Sequence, residues 1–222
     1  MFSLFQQGGS IMYVLLLMSI LATAIILLKL YQFYRSGLRQ NNFVENTLNT
    51  LSQNNYQQAL NDLKQQNSPV ARVLESAIQF AANPIMSSKD VEAEVSRVGS
   101  AQIRNLESWL RGLSSIAHLS PLLGLLGTVT GMIAAFMNLQ AAGPQVDPSL
   151  LSGGIWEALL TTAFGLTVAI PAMAAFYYLE GEVDNLRAAM KDASIQVLRH
   201  FGKSPQLNNR DDERIEDETH GL

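Results

Sequence analysis

The chain has 222 residues, of which 48% are hydrophobic and 15% charged, with a formal net charge of −4 and no cysteine. The lack of cysteine excludes disulfide frameworks, thiolate metal sites and cysteine nucleophiles. His118, His200 and His220 have no ligand spacing between them, which argues against a structural zinc site. The few charges are segregated: residues 10–28 and 112–146 carry none, and residues 153–179 carry Glu157 alone. A hydrocarbon core of about 30 Å takes about 20 helical residues, so each of these runs is long enough to cross a bilayer.

In chain order, residues 1–9 precede a first span at 10–30 that ends beside Lys29. This span does not read as a cleavable signal, because it lacks a basic region before it and a small-x-small site after it. Residues 31–112 read as extramembrane helices. Phe43, Leu48 and Leu51 recur at helical spacing, and after the polar break Asn54-Asn55 so do Tyr56, Ala59, Leu60 and Leu63. Ser68 reads as an N-cap with Pro69 at the first helical position, opening a helix over 70–82 that Asn83-Pro84 ends. Ser88 is expected to cap the next helix, which carries Val91, Val95, Val98, Ile103 and Leu106. No breaker follows before Pro121, so this helix is expected to run straight into a second span at 113–139.

A connection over 140–153 leads to a third span at 154–179. That span is expected to continue through Val183, Leu186, Met190 and Val197 in a helix over 180–202 that stops near Gly202. The remaining residues, 203–222, form an acidic tail that reads as solvated and disordered. The fold class is therefore an all-α membrane protein. Three transmembrane helices, extended by long cytoplasmic helices, form an oligomeric helical bundle.

Orientation follows from the Lys and Arg residues. Lys29 ends the first span, eight lie from Arg35 to Arg111, and six from Arg187 to Arg214. None precedes the first span and none falls in the 140–153 connection. The positive-inside bias then places the N-terminus and that connection in the periplasm, and the 31–112 region and C-terminus in the cytoplasm.

The residues able to carry chemistry lie in the second and third spans. Gly124, Gly127, Gly131 and Ala135 form a small-residue stripe on one, and Ala158, Thr162, Gly165, Ala169 and Ala172 on the other. Such stripes let membrane helices approach closely where lipid provides no hydrophobic drive. In two antiparallel spans Thr128 and Thr162 fall within about one turn of the same depth, with Glu157 about one turn further out. A carboxylate at a helix centre costs roughly 2.5–3.5 kcal/mol on insertion scales, and two hydroxyls can donate and accept along a proton or water path. Each threonine can equally bond back to its own helix. Pro121 and Pro171 remove backbone bonds to the carbonyls of Ala117 and Thr167 and are expected to kink their helices. Trp109, Trp156, Tyr177 and Tyr178 read as interfacial anchors, and His118 as a packed or snorkelling residue rather than a relay.

The stretch containing PLLGLLGTVTGM and the stretch GIWEALLTTAFGLTVAIPA resemble the two signature segments of the ExbB/TolQ/MotA proton-channel family, and Val70-Ala71-Arg72-Val73 resembles a segment of its ExbB/TolQ branch. The resemblance covers residues 68–198, and the three-span layout favours an ExbB-like member. It implies a homopentamer enclosing single-span ExbD/TolR-like partners that supply an aspartate, coupled to a TonB-like periplasm-spanning protein, with membrane lipid around it and no cofactor, metal or nucleic acid. Residue by residue, the family's pore threonine falls on Thr128, and its glutamate and threonine fall on Glu157 and Thr162. The resulting expectation is a stator or channel subunit of a proton-motive-force-driven inner-membrane motor energising outer-membrane import, not an enzyme. The alternatives are a TolQ-like role in envelope integrity and constriction, a substrate transporter, or a structural scaffold.

Overall fold

A computed structural model describes residues 9–35, 42–141 and 148–203. The N-terminal segment before Gly9, residues 142–147 of the connection before the third span, and the acidic tail after Lys203 expected to be disordered lie outside the described residues. Among the described residues there are helices and no strands: α1 (Gly9–Arg35), α2 (Asn42–Ser52), α3 (Tyr56–Gln65), α4 (Pro69–Ala81), α5 (Ser88–Glu107), α6 (Leu110–Ala141) and α7 (Pro148–His200). The all-α membrane fold is therefore established. Three stretches are long and apolar enough to cross a membrane: Gly9–Phe33, Leu110–Ala141 and Leu151–His200. At 53 residues α7 is about 80 Å long, far more than a bilayer needs, so much of it lies outside any hydrocarbon.

The chain divides into two compact units. The first contains Met1–Arg35 and Asn105–Asp184, and hence the first two apolar stretches and the third as far as Asp184. Here α1 packs on α6, and one stripe of α1, Met12, Leu15, Ala22, Lys29 and Phe33, is buried. The other faces of the three helices carry large apolar side chains outward, among them Leu17, Leu28, Leu122 and Leu159. Leucines on outer faces are what lipid permits, because lipid solvates leucine as well as another helix does.

The second unit contains Ser36–Arg104 and Asn185–Leu222. Its core is made of large side chains, including Leu51, Leu63, Leu74, Ile78, Val91 and Val197, none more than 2% exposed. Two of its helices end in the same way. Asn54 (φ 59°) follows α2 and Gly202 (φ 67°) follows α7, and each stands in the left-handed region that Asn and Gly adopt most readily. In each case the next residue's N–H reaches back five residues, Asn55 to the Thr50 carbonyl (3.2 Å) and Lys203 to the Leu198 carbonyl (2.8 Å). These paired bonds satisfy carbonyls that a helix end would otherwise leave open. The Lys203 ammonium then donates to the carbonyls of Asn83 (2.8 Å) and Met86 (3.0 Å), fastening the turn after α4.

Ser68 is the N-cap before Pro69 as expected, with the extended backbone of that position, though its side chain makes no capping bond. Two local expectations need correction. The cap of α5 is Ser87 rather than Ser88: its hydroxyl accepts from the Asp90 N–H (3.3 Å) and donates to the Asp90 carboxylate (2.6 Å). The acidic residue three positions on favours Ser87, since Ser88 would face Val91 instead. Finally, the helix from Ser88 does not run unbroken into the second span. It stops at Glu107, and Trp109, at φ 68°, separates it from α6. A bulky residue in that region is a genuine outlier, held by what surrounds it.

Candidate functional site

The contact between α6 and α7 is built from absent side chains. A Cβ on Gly124 would lie 3.0 Å from the Thr162 Cα and 3.4 Å from the Gly165 Cα. A Cβ on Gly131 would lie 3.2 Å from that of Ala158, and one on Gly165 only 2.6 Å from the Ser120 carbonyl oxygen. Gly127 faces the Thr161 side chain so closely that a Cβ there would sit 2.7 Å from the Thr161 Cβ. Near the start of α7, Gly154 meets Ala135 in the same manner. Ala158, Ala169 and Ala172 are buried along α7. The two backbones thus run within van der Waals reach of each other over several turns.

Thr162 sits on this seam, and its hydroxyl donates to the Gly124 carbonyl on the facing helix at 2.9 Å. The Thr128 hydroxyl instead donates to the Leu125 carbonyl of its own helix, 2.7 Å away. Both threonines are half-buried, and their anchoring carbonyls belong to adjacent residues of α6. Each oxygen, having given its proton, keeps lone pairs that can accept from water. Glu157, also half-buried, has no hydrogen-bond or ion-pair partner among the described residues. Its Oε1 lies 3.6 Å from where a Cβ of Gly9 would be, so the first residue of α1 is its neighbour. An apolar helix thus presents one carboxylate at the level where another apolar helix begins.

The remaining sequence-selected residues fall as follows. Pro121 and Pro171 lie inside α6 and α7, which continue through both. Beside Pro121, the buried hydroxyl of Ser120 donates to the Ile116 carbonyl at 2.7 Å. His118 is exposed on α6 with Nδ1 2.7 Å from the Ser114 carbonyl, and Trp109, Trp156, Tyr177 and Tyr178 are exposed.

Two residues escaped the sequence reading. Thr161 is buried, donates to the Ala158 carbonyl (2.7 Å) and fills the notch at Gly127. Its signal was available: it stands three residues after Ala158 and four before Gly165, on the same stripe. Lys29 is 2% exposed, with its ammonium bonded to the Leu106 carbonyl and the Gln32 side chain at 2.9 Å each. Its partner on α5 is 77 residues away, beyond any local pattern.

Comparison with known proteins places these residues in a family. Residues 65–192, more than half of the chain, match the MotA/TolQ/ExbB proton channel family. A protein of Synechocystis named as ExbB-like in biopolymer transport is 34% identical over 76% of this chain and 79% of its own length. The biopolymer transport protein ExbB of Neisseria meningitidis is 29% identical over 79% of this chain and 84% of its own. A protein of Methanothermobacter thermautotrophicus named as an ExbB homologue is 28% identical over 82% of this chain, which spans only 63% of that longer relative. The chain belongs to the MotA/TolQ/ExbB proton channel family and is an ExbB-like, multi-pass membrane protein.

Proposed function

We propose that this ExbB-like chain is the proton-conducting stator subunit of an inner-membrane motor. Five copies enclose ExbD/TolR-like single-span helices, and proton flow moves those helices to energise a TonB-like protein for outer-membrane import. The observation that carries the reading is Glu157: the one carboxylate of an apolar span, half-buried and without a partner among the described residues, in a chain whose family match covers that span. Removing a carboxylate from water without a partner is costly, and such groups in membranes mark ion pathways. The biopolymer-transport names of the relatives support the import branch over envelope constriction.

In this reading Glu157 attracts protons at the periplasmic mouth, and the oxygens of Thr128 and Thr162 lead water inward along the α6–α7 seam. The partner's aspartate receives the proton there. One charge moved through 100 mV supplies about 2.3 kcal/mol, so several protons drive one substantial step. The small-residue seam keeps the wall of the ring stiff while the central helices move.

The test is proton flux in proteoliposomes holding the purified complex, driven by a potassium diffusion potential and read by a pH-sensitive dye. Glu157→Ala and Thr162→Val are expected to assemble normally and to lose most of the flux. Full flux from both would sink the proposal. Topology has its own check: cysteines introduced as Ser3→Cys and Gln145→Cys should label from the periplasm, and Gln53→Cys and Ser204→Cys should not.

A further inference from the structure

A buried lysine in an apolar helix needs acceptors for three N–H groups, and Lys29 finds them on two other segments as well as its own. Its stem lies on the buried stripe of α1, and its ammonium donates to the Gln32 side chain (2.9 Å), the Leu106 carbonyl (2.9 Å) and the Ser108 hydroxyl (3.4 Å). Leu106 belongs to the last turn of α5, where carbonyls have no helical donor and a cation suits the negative end of the helix dipole. Ser108 is the residue before Trp109, whose left-handed backbone divides α5 from α6. Ser108 also donates to the Asn105 carbonyl at 2.7 Å, so its hydroxyl is aligned to accept from the lysine. Just beyond the break, Ile25 of α1 lies beside Gly112, its Cδ1 3.9 Å from where a Cβ would stand.

We propose that Lys29 is a positioning residue for the transport reaction: its ammonium clamps the break at Trp109 and so fixes the level at which α6 starts. This rests on the proposed channel reading, because the consequence falls on Thr128 and Gly124 of α6. A slip of α6 by half a turn moves both about 2.7 Å along the axis. That displacement separates the Thr162 hydroxyl from the Gly124 carbonyl and takes Thr128 out of level with it. Without the lysine's donors the Leu106 carbonyl and the Ser108 hydroxyl lose the bonds that tie this break to α1, and the segment around Trp109 opens more often.

The experiment measures amide hydrogen exchange over residues 103–113, together with dye-reported proton flux, on the full chain in its purified complex. Lys29→Met keeps the stem and removes the donors. It should raise exchange at 103–113 roughly tenfold and lower flux by roughly the same factor, with the assembled size unchanged. Lys29→Arg, which keeps donors in reach, should return both readings towards wild type. Thr162→Val should lower flux and leave exchange at 103–113 as in wild type, so loss of the pore and loss of the clamp are distinguishable. Unchanged exchange in Lys29→Met overturns the clamp. Raised exchange with full flux overturns the positioning role. If Lys29→Met does not assemble, Ser108→Ala removes one acceptor at an exposed position, and absence of any rise in exchange there overturns the clamp instead. A wild-type complex without flux would sink the channel reading, while the exchange measurement still decides whether Lys29 holds the break.

Discussion

The α6–α7 seam and the core of the second unit solve opposite packing problems. In the second unit large side chains such as Leu51, Leu63, Leu74 and Ile78 are fully buried beside alanines, while Asn and Gln of α2 and α3 face outward. In the seam the buried positions are Gly124, Gly127, Gly165 and Ala172, while Leu122, Leu125 and Ile170 face outward. Water drives the first arrangement by expelling apolar area. Lipid offers no such drive, so the second depends on close backbone approach and on bonds such as that from Thr162 to the Gly124 carbonyl. The lesson is that the same residue type carries opposite meaning in the two regions: a leucine is core in one and solvent-facing in the other.

Leucine truncation is the most direct way to break that comparison. Leu74→Ala, at a fully buried position, should destabilise the second unit by about 2–5 kcal/mol, whereas Leu125→Ala on the outer face of α6 should change stability by no more than about 0.5 kcal/mol. Thermal unfolding of the purified complex, followed by circular dichroism, measures both. A large effect at Leu125 would mean that protein rather than lipid covers that face.

Glycine replacement reverses the order of importance. Gly165→Ala drives a Cβ to within 2.6 Å of the Ser120 carbonyl, a backbone atom that cannot rotate away, and should cost about 1–3 kcal/mol, read as loss of assembled complex in size-exclusion chromatography. Thr162→Val leaves the Gly124 carbonyl without its donor and should cost about 1 kcal/mol, near the low end because the site is half-buried. Thr162→Ser keeps the hydroxyl and should retain both stability and flux, which separates loss of the hydroxyl from a change of shape. One replacement should be a gain: Gly181→Ala, with nothing within 4 Å of the new Cβ, should stabilise α7 by about 1 kcal/mol through helix propensity. A loss there would reveal a neighbour that the isolated chain does not have.

Much of this organisation could be read locally. The three apolar runs, the stripes at three- and four-residue spacing, the stop at Gly202 and the break at Asn54-Asn55 are properties of short windows, and Glu157 is conspicuous because nothing near it in sequence is charged. The break at Trp109 was hidden for a definite reason. Buried positions continue at helical spacing straight across it, through Ile103, Leu106, Leu110, Leu113 and Ala117, so periodicity reads one helix where the backbone makes two.

By itself, then, the sequence determined which segments are long and apolar enough to cross a membrane and which faces are small, because length, apolarity and helical period are additive over neighbouring residues. Only the tertiary structure decided which small residue meets which. It set Gly165 against the Ser120 carbonyl, seated Thr161 rather than Thr162 in the notch at Gly127, and gave the Thr162 hydroxyl to Gly124. It also brought Lys29 to a helix end 77 residues away. Those pairings depend on the rotation and axial level of one helix against another, and these are fixed by contacts summed over the whole interface rather than by any window of the chain.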